Sequence, residues 1–116
     1  MDASLQNLLR QQKLAYLVFD SDLTLVREQT SFQDYFHGHQ LTRMSDSFWD
    51  LFPEFVGSED IISAVLAGKK RSFRYERLNR YDSRKRLRYY NVELSCFQDP
   101  ENSMRHLFCV ISDVSE

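Results

Sequence analysis

Hydrophobic residues recur at helical spacing in the first part of the chain and at alternate positions in the last third. At the N-terminus, Leu5, Leu8 and Leu9 follow the i, i+3, i+4 pattern of an amphipathic helix over residues 1–13. Such an apolar stripe must be covered by another surface. The predicted helix therefore packs either on the domain's own sheet or on the same stripe of a second copy.

A hairpin and three short helical segments are predicted next. Ala15–Asp20 and Leu23–Arg27 are β-favouring runs on either side of a polar turn. Aromatic residues at helical spacing predict a short helix over Gln29–Phe36. The aromatic-rich segment Phe48–Phe55 contains a proline, which favours a short helical turn over a long helix. Ser58–Gly68 has an acidic first turn, an apolar stripe and a terminal glycine, which predict a helix capped by its first residue.

After these segments the hydrophobic pattern changes to period two, which is typical of strands. Phe73–Glu76, Tyr90–Cys96 and Leu107–Ile111 are predicted strands, and Asn79–Arg84 and Asp99–Ser103 are polar connections between them. With the first hairpin, these make five strands around one apolar face. The expected fold is α+β, a five-stranded antiparallel sheet with several short helices on one face and an N-terminal amphipathic helix.

Composition indicates one reduced, non-membrane domain. At 116 residues and 13.9 kDa the chain is long enough for one domain and too short for two. Its net charge of −2 gives no overall preference for a polyanionic or polycationic partner. Cys96 and Cys109 are too few for a disulfide scaffold, and no apolar run approaches the roughly 20 residues of a membrane span. We expect a cytoplasmic domain in which both cysteines are small buried hydrophobes.

Three segments of the chain carry a family resemblance: Leu17–Leu23 at the first hairpin, Phe48–Glu54 in the middle and Asp113–Glu116 at the end. In their order and spacing they resemble the PAS family of sensory and dimerisation modules. The resemblance covers residues 14–116, and the predicted N-terminal helix stands where many PAS modules carry a pairing helix. The chain departs from the family at Glu28–Thr30, where an Asn is common, and just before the middle segment, where a Gly is common.

The resemblance implies a sensory module with no catalytic activity of its own. Such a module binds a small molecule or docks a partner and relays a conformational change to an effector, for example a histidine kinase of a bacterial two-component system or a nucleotide cyclase. The effector would lie after the C-terminus or in a partner protein. The residues at this exit are Asp113, Val114, Ser115 and Glu116. The three N-terminal leucines would join two copies as a homodimer, and a ligand-free dimerisation or protein-interaction scaffold is the alternative.

The family resemblance also implies a pocket between the sheet and the helices. Its candidate wall residues are Phe36, Trp49, Ile62, Leu66, Phe73, Tyr75, Tyr90 and Val92. A small apolar or aromatic ligand would suit such a wall. The same side chains equally fit a filled core, because a domain of this size must bury large residues, at roughly 25 cal/mol per Å².

Neither a cofactor nor a metal is predicted. Haem-binding PAS modules use a histidine on the helix that corresponds to Ser58–Gly68, and this helix has none. Flavin-adduct photochemistry needs a cysteine on an earlier helix, whereas the first cysteine here is Cys96 on a predicted strand. His37 and His39 lack the spacing of a metal site. No nucleophile pattern surrounds His106, so no catalytic residue is predicted.

Positive charge is concentrated in residues 69–88. This segment has ten of the fifteen basic residues and two of the seventeen acidic ones, so its net charge is +8 against −10 for the rest. Strand alternation places Arg74 on the outer face. Arg88 is two residues before Tyr90, so strand alternation points both side chains to the same face. Arg88 reaches water only if the strand end splays or a bulge precedes Tyr90. The candidate basic patch consists of Arg74, Arg84, Lys85, Arg86 and Arg88.

Three roles suit this basic patch. It is a solvated sheet edge that discourages edge-to-edge association, a docking surface for the acidic part of another copy or of the effector, or a nucleic-acid contact in which interleaved tyrosines stack on bases. Nucleic acid is the least expected, because the acidic remainder repels phosphates and no nucleic-acid motif is present.

Overall fold

A five-stranded antiparallel sheet forms the centre of the molecule, as predicted. The structure, a computed structural model, describes residues 14–30, 47–81 and 84–114. The strands lie in the order β2-β1-β5-β4-β3 and every neighbouring pair is antiparallel. They are β1 (Leu14–Phe19), β2 (Leu25–Thr30), β3 (Ser72–Tyr81), β4 (Leu87–Gln98) and β5 (Arg105–Asp113). The predicted N-terminal helix lies outside the described residues.

Asp20 closes the tight turn between β1 and β2. Its side-chain Oδ1 accepts hydrogen bonds from the backbone N–H groups of Asp22 (2.9 Å) and Thr24 (3.0 Å), which is how an aspartate stabilises a turn. Leu23 has a positive φ of 61° within this turn. Strand β2 therefore begins at Leu25, two residues later than predicted.

The far end of β2 also differs from the prediction. Gln29 pairs with Tyr16 of β1, and Thr30 pairs with Ala15. Gln29 and Thr30 therefore belong to the sheet, and the predicted helix does not begin at Gln29. The backbone groups that would start a helix are used in pairing with β1. The rest of that predicted helix, residues 31–36, lies outside the described part of the chain.

Three short helical segments cover the inner face of the sheet, which is the face that carries the buried strand residues. They are α1 (Phe48–Leu51), a 3-10 turn (Pro53–Phe55) and α2 (Glu59–Leu66). The Ser47 hydroxyl accepts a hydrogen bond from the N–H of Trp49 (3.3 Å) at the start of α1. Pro53 then begins the 3-10 turn. The aromatic-rich segment thus forms two brief turns instead of one helix, as the sequence predicts.

Helix α2 buries Ile62 and Val65 against the sheet. Ser58 is at the N-cap position, as predicted, but its side chain makes no capping hydrogen bond. The Glu59 carboxylate instead accepts the backbone N–H of Gly57, just before the helix. A carboxylate in the first turn also complements the positive end of the helix dipole.

One extra residue bends β3 near its middle. Tyr75 pairs with Val92 and Leu78 pairs with Tyr90, so three steps along β3 match two along β4. Arg77 has a positive φ of 58° within this bulge, and its N–H donates to the side-chain oxygen of Asn91 (3.0 Å). The bulge brings Leu78, which is 2% exposed, onto the inner face.

The second half of β3 corrects the prediction that Asn79–Arg84 is a connection. Residues Asn79, Arg80 and Tyr81 are paired in register with Tyr89, Arg88 and Leu87 of β4. The polar composition of these residues is typical of a turn. Because the bulge takes up one extra residue of β3, the residues after it still pair in register with β4. The strand therefore continues to Tyr81.

A cluster of phenylalanines joins the helical segments to the sheet. The ring of Phe48 lies 5.2 Å from that of Phe19 on β1 and 5.3 Å from that of Phe52. Phe55 lies 5.6 Å from Phe48 and 5.8 Å from Phe52. All four rings are fully buried. These edge and tilted contacts add to the stabilisation from the apolar area that the rings remove from water, so the cluster helps to hold the helical segments on the sheet.

Phe48→Ala is expected to lower the free energy of unfolding by about 3–5 kcal/mol, because it removes a fully buried ring that contacts four other aromatic rings. Urea unfolding followed by circular dichroism measures this loss. Val56→Ala is the control, because Val56 is 66% exposed and its truncation should change stability by less than about 0.5 kcal/mol. A loss below about 1 kcal/mol for Phe48→Ala would contradict the central place of this cluster.

Candidate functional site

The structure brings seven of the eight predicted wall residues to the interface between helices and sheet, and the eighth, Phe36, lies outside the described residues. Ile62 and Val92 are fully buried and Tyr90 is 2% exposed. The side chains that are partly buried against this core are Trp49, Leu66 and Phe73. The pocket itself stays a prediction, because these contacts suit both a cavity wall and a filled core.

Tyr75 is the most exposed of the predicted wall residues, at 38%. Its ring lies 5.5 Å from that of Phe55, which also contacts Phe73 at 6.1 Å. Phe55 was not among the predicted wall residues, although its ring contacts two of them. Its helical segment is one turn long, so the sequence offers too few positions for a periodicity to show which side of it faces inward.

Arg80 joins the sheet to the helical layer at one end of the inner face. Its Nε and Nη2 atoms each donate to one carboxylate oxygen of Glu54 at 2.7 Å. Nη2 also donates to the backbone carbonyl of Leu51 at 2.6 Å, and the guanidinium lies 5.6 Å from the centre of the Phe52 ring. The Arg80 side chain is only 14% exposed. This two-point pair is therefore stronger than an ordinary surface salt bridge.

Arg88 does not belong to a solvated basic patch, which corrects the prediction. Its Nη2 donates to the Asp113 carboxylate at 2.7 Å, and the two side chains are 27% and 6% exposed. The irregularity in the ladder lies on β3, so nothing turns Arg88 away from the face that it shares with Tyr90. Arg88 reaches a charge partner on the inner face instead of water, and the hydrogen bond to Asp113 raises the pKa of Arg88.

The two ionic contacts are neighbours in the sheet. Arg80 and Arg88 are directly paired across β3 and β4. Asp113 is the last residue of β5, and the N–H of Val114 continues the ladder by donating to the carbonyl of Tyr89 at 3.0 Å. A continuous route of contacts therefore runs from Glu54 in the helical layer to the predicted exit at Asp113 and Val114. The other two predicted exit residues, Ser115 and Glu116, lie outside the described residues.

Glu28 places a carboxylate on the inner face of edge strand β2. It pairs with Leu17 of β1, which is fully buried. Oε2 of Glu28 is buried and has no hydrogen-bond partner within the described ranges. Burial raises the pKa of the Glu28 carboxyl, because desolvation disfavours the ionised form. The sequence marks Glu28 only as a departure from the family pattern.

The cysteines and histidines show no arrangement for covalent or metal chemistry within the described residues. Cys109 is fully buried, and burial raises the pKa of its thiol, which keeps it protonated and unreactive. Cys96 is partly buried and its sulfur lies 3.2 Å from the carbonyl of Leu66. No group of three or more potential metal ligands occurs in the described residues. His37 and His39 lie outside them.

The rest of the predicted basic patch lies on the surface of the β3–β4 hairpin. Arg74 is on the outer face, 3.5 Å from Glu76 and 3.9 Å from Glu93. The exposed basic residues near the hairpin's far end are Arg84, Lys85 and Arg86. The acidic neighbours of Arg74 reduce the local positive charge, so the exposed patch is centred on residues 84–86.

Comparison with known proteins identifies the fold. A family model described as PAS fold matches residues 9–116. No curated protein matches the chain. No helix in the described part of the chain has the length and apolar character needed to cross a membrane.

Solved structures of other proteins have a similar fold. A sensory box sensor histidine kinase from Vibrio cholerae is 20% identical with a TM-score of 0.57, over 97% of this chain and 91% of the other. The PAS domain of nitrogen regulation protein NR(II) from Vibrio parahaemolyticus is 11% identical with a TM-score of 0.63, over 97% and 100%. The Cycle PAS-B domain of Drosophila melanogaster with bound ethylene glycol is 8% identical with a TM-score of 0.60, over 85% and 98%. At these identities the likeness is one of fold.

A double-mutant cycle of Arg88→Gln and Asp113→Asn should give a coupling of about 1–3 kcal/mol in the free energy of unfolding, because the pair is charged and largely shielded from water. Urea titrations of the two single variants and the double variant measure it. The control cycle uses Arg74→Gln and Glu93→Gln, whose side chains are 53% and 51% exposed, and should give less than about 1 kcal/mol. Equal couplings in the two cycles would show that Asp113 is not specifically held by Arg88.

Glu28→Gln is expected to stabilise the domain at neutral pH. Because the folded state raises the pKa of Glu28, the ionised side chain costs stability above that pKa, and this cost disappears below the unfolded pKa of about 4. The gain from Glu28→Gln should therefore be largest near pH 7 and shrink as the pH falls towards about 4. Urea midpoints across this pH range measure it, with Glu101→Gln, at an exposed position, as control. A gain that does not depend on pH would contradict this assignment.

Proposed function

The chain belongs to the PAS family, and from this membership we propose that it is a sensory module in signal transduction. In this proposal it acts in the cytoplasm, senses by binding a small molecule or docking a partner, and passes a conformational change to an effector domain beyond Glu116 or in a partner protein. The module itself performs no catalysis. A histidine kinase is the effector that we favour, since two of the structural relatives described above come from sensor kinases or nitrogen regulation.

The observation that carries this proposal is the route of contacts between the helical layer and the end of β5. Arg80 holds Glu54 and the Leu51 carbonyl on the helical side. Its cross-strand neighbour Arg88 holds Asp113 on the exit side. A change in the packing of the helices on the sheet would move Arg80 first. The paired strands then carry that displacement to the exit.

Ligand sensing on the inner face is supported by the partly buried aromatic side chains and by Glu28. Trp49, Phe73 and Tyr75 are large side chains at the rim of the core. Glu28 adds a carboxylate whose Oε2 has no partner in the described residues. A small apolar or aromatic ligand would pack on the aromatic side chains, and a ligand that reaches edge strand β2 would donate a hydrogen bond to Glu28. Such a ligand shifts the two-state equilibrium only as far as its affinities for the two states differ.

Pairing of two copies completes the proposal. Leu5, Leu8 and Leu9 form an apolar stripe in the sequence, although they lie outside the described residues. A homodimer would place two exits side by side, as an effector that acts as a dimer requires. If pairing occurs without any ligand, the domain is a dimerisation scaffold, which is the alternative function.

Glu54→Gln tests the proposed relay. It removes the charge that Arg80 binds, while the rest of this helical segment is unchanged. We expect amide chemical-shift changes in ¹⁵N spectra not only around residues 51–54 and 80, but also at Asp113 and Val114. The expected cause is the direct cross-strand pairing of Arg80 with Arg88.

Glu93→Gln is the matched control for this test. It also removes an acid that faces an arginine of β3, but on the outer face at 3.9 Å from Arg74. Its shift changes should stay near residues 74 and 93. If Glu54→Gln leaves the amides of Asp113 and Val114 where they are in the wild type, the relay is refuted.

A further inference from the structure

The outer face of the sheet carries a pocket that the inner-face proposal does not use. Its volume is about 250 Å³. Two cross-strand pairs contribute to it, Val18 with Arg27 and Phe97 with His106. The full lining is Val18, Val26, Arg27, Phe97, Asp99 and His106. The pocket therefore lies across strands β1, β2, β4 and β5, on the side away from the helices.

His106 lines this pocket and has a buried polar atom without a partner among the described residues. Its ring is stacked on that of Phe97, with the centroids 5.0 Å apart and an angle of 11° between the planes. Nδ1 is buried and has no hydrogen-bond partner in the described residues. Leaving a buried nitrogen unpaired is unfavourable, so this end of the pocket is not fully satisfied.

The two charged residues of the lining have opposite signs. Arg27 is exposed and forms no salt bridge with any residue that the structure describes. Asp99 is partly buried, and its Oδ1 accepts the backbone N–H of Glu101 at 2.9 Å, which orients the carboxylate. A dianion such as a phosphate monoester would be repelled by Asp99. A ligand that carries one positive and one negative group matches both.

The remaining walls are apolar. Val18 is 6% exposed, whereas Val26 and Phe97 are 43% and 42% exposed. A cavity of about 150 Å³ accommodates a benzene ring, so this pocket has room for one ring or a branched aliphatic group together with a short polar end. It is too small for a nucleotide or a folded segment of a partner protein.

We propose that this outer-face pocket binds a free α-amino acid with an apolar side chain. The carboxylate of the ligand pairs with the Arg27 guanidinium beside the His106 ring, and its ammonium group pairs with Asp99. The apolar side chain packs on Val18, Val26 and Phe97. This site does not depend on the relay or on an inner-face ligand, so its failure and theirs are distinguishable.

Titration of the ¹⁵N-labelled protein with L-phenylalanine and L-leucine tests the proposal. We expect a dissociation constant of about 1 mM or tighter for at least one of them. The shift changes should centre on residues 26–27, 97–99 and 106. Phenylacetate lacks the ammonium group and 2-phenylethylamine lacks the carboxylate, so each should bind at least about tenfold more weakly than L-phenylalanine. No shift at these positions with either amino acid overturns the proposal.

Arg27→Gln is the discriminating variant, because an exposed arginine can be replaced without disturbing the fold. It should weaken amino-acid binding by about 10- to 100-fold. Arg71→Gln is the matched control, because it removes an exposed arginine that does not line the pocket, and it should bind as the wild type does. Unchanged affinity in Arg27→Gln, or shift changes confined to inner-face residues, contradicts the assignment.

Discussion

The extra residue in β3 is the constraint on which the arrangement of the site depends. Without it, strict alternation from Phe73 and Tyr75 would turn Arg80 to the outer face. With it, Leu78 enters the core and Arg80 reaches Glu54 and the Leu51 carbonyl. A small irregularity in one ladder thus decides that an arginine connects the two layers of the domain.

The two faces of the sheet have different chemistry. On the inner face, four buried phenylalanines hold the helical segments, and two ionic contacts mark the end of that face near the exit. Removing one partner of a shielded ion pair leaves the other charge uncompensated, so these contacts resist small displacements. The outer face is partly exposed and combines apolar positions with the charged side chains of Arg27 and Asp99. The first face suits transmission of a packing change, and the second suits binding of a small polar molecule.

Hydrophobic periodicity was enough to predict the fold, but several site residues depend on irregular features. The strands and the brief aromatic turns follow from alternation and from Pro53, which are local signals. Arg80 lies in a polar stretch that resembles a connection, and only the pairing with β4 shows that it is part of a strand. The parity of Arg88 with Tyr90 was visible in the sequence, but its partner Asp113 lies 25 residues away, and no periodic pattern links them. Glu28 and His106 matter because an atom of each is buried without a partner among the residues that the structure describes, which is a property of the folded chain alone.

The coupling between the helical layer and the exit strand is the central claim of this account. Amide hydrogen exchange at Val114 tests it most directly, because this N–H donates to Tyr89 at the end of the ladder and reports local opening there. In an Arg80→Lys variant, which loses the two-point contact with Glu54 but keeps the charge, the account predicts faster exchange at Val114. Equal exchange rates in the variant and the wild type, together with faster exchange around Leu51, would show that the two ends of the route are independent.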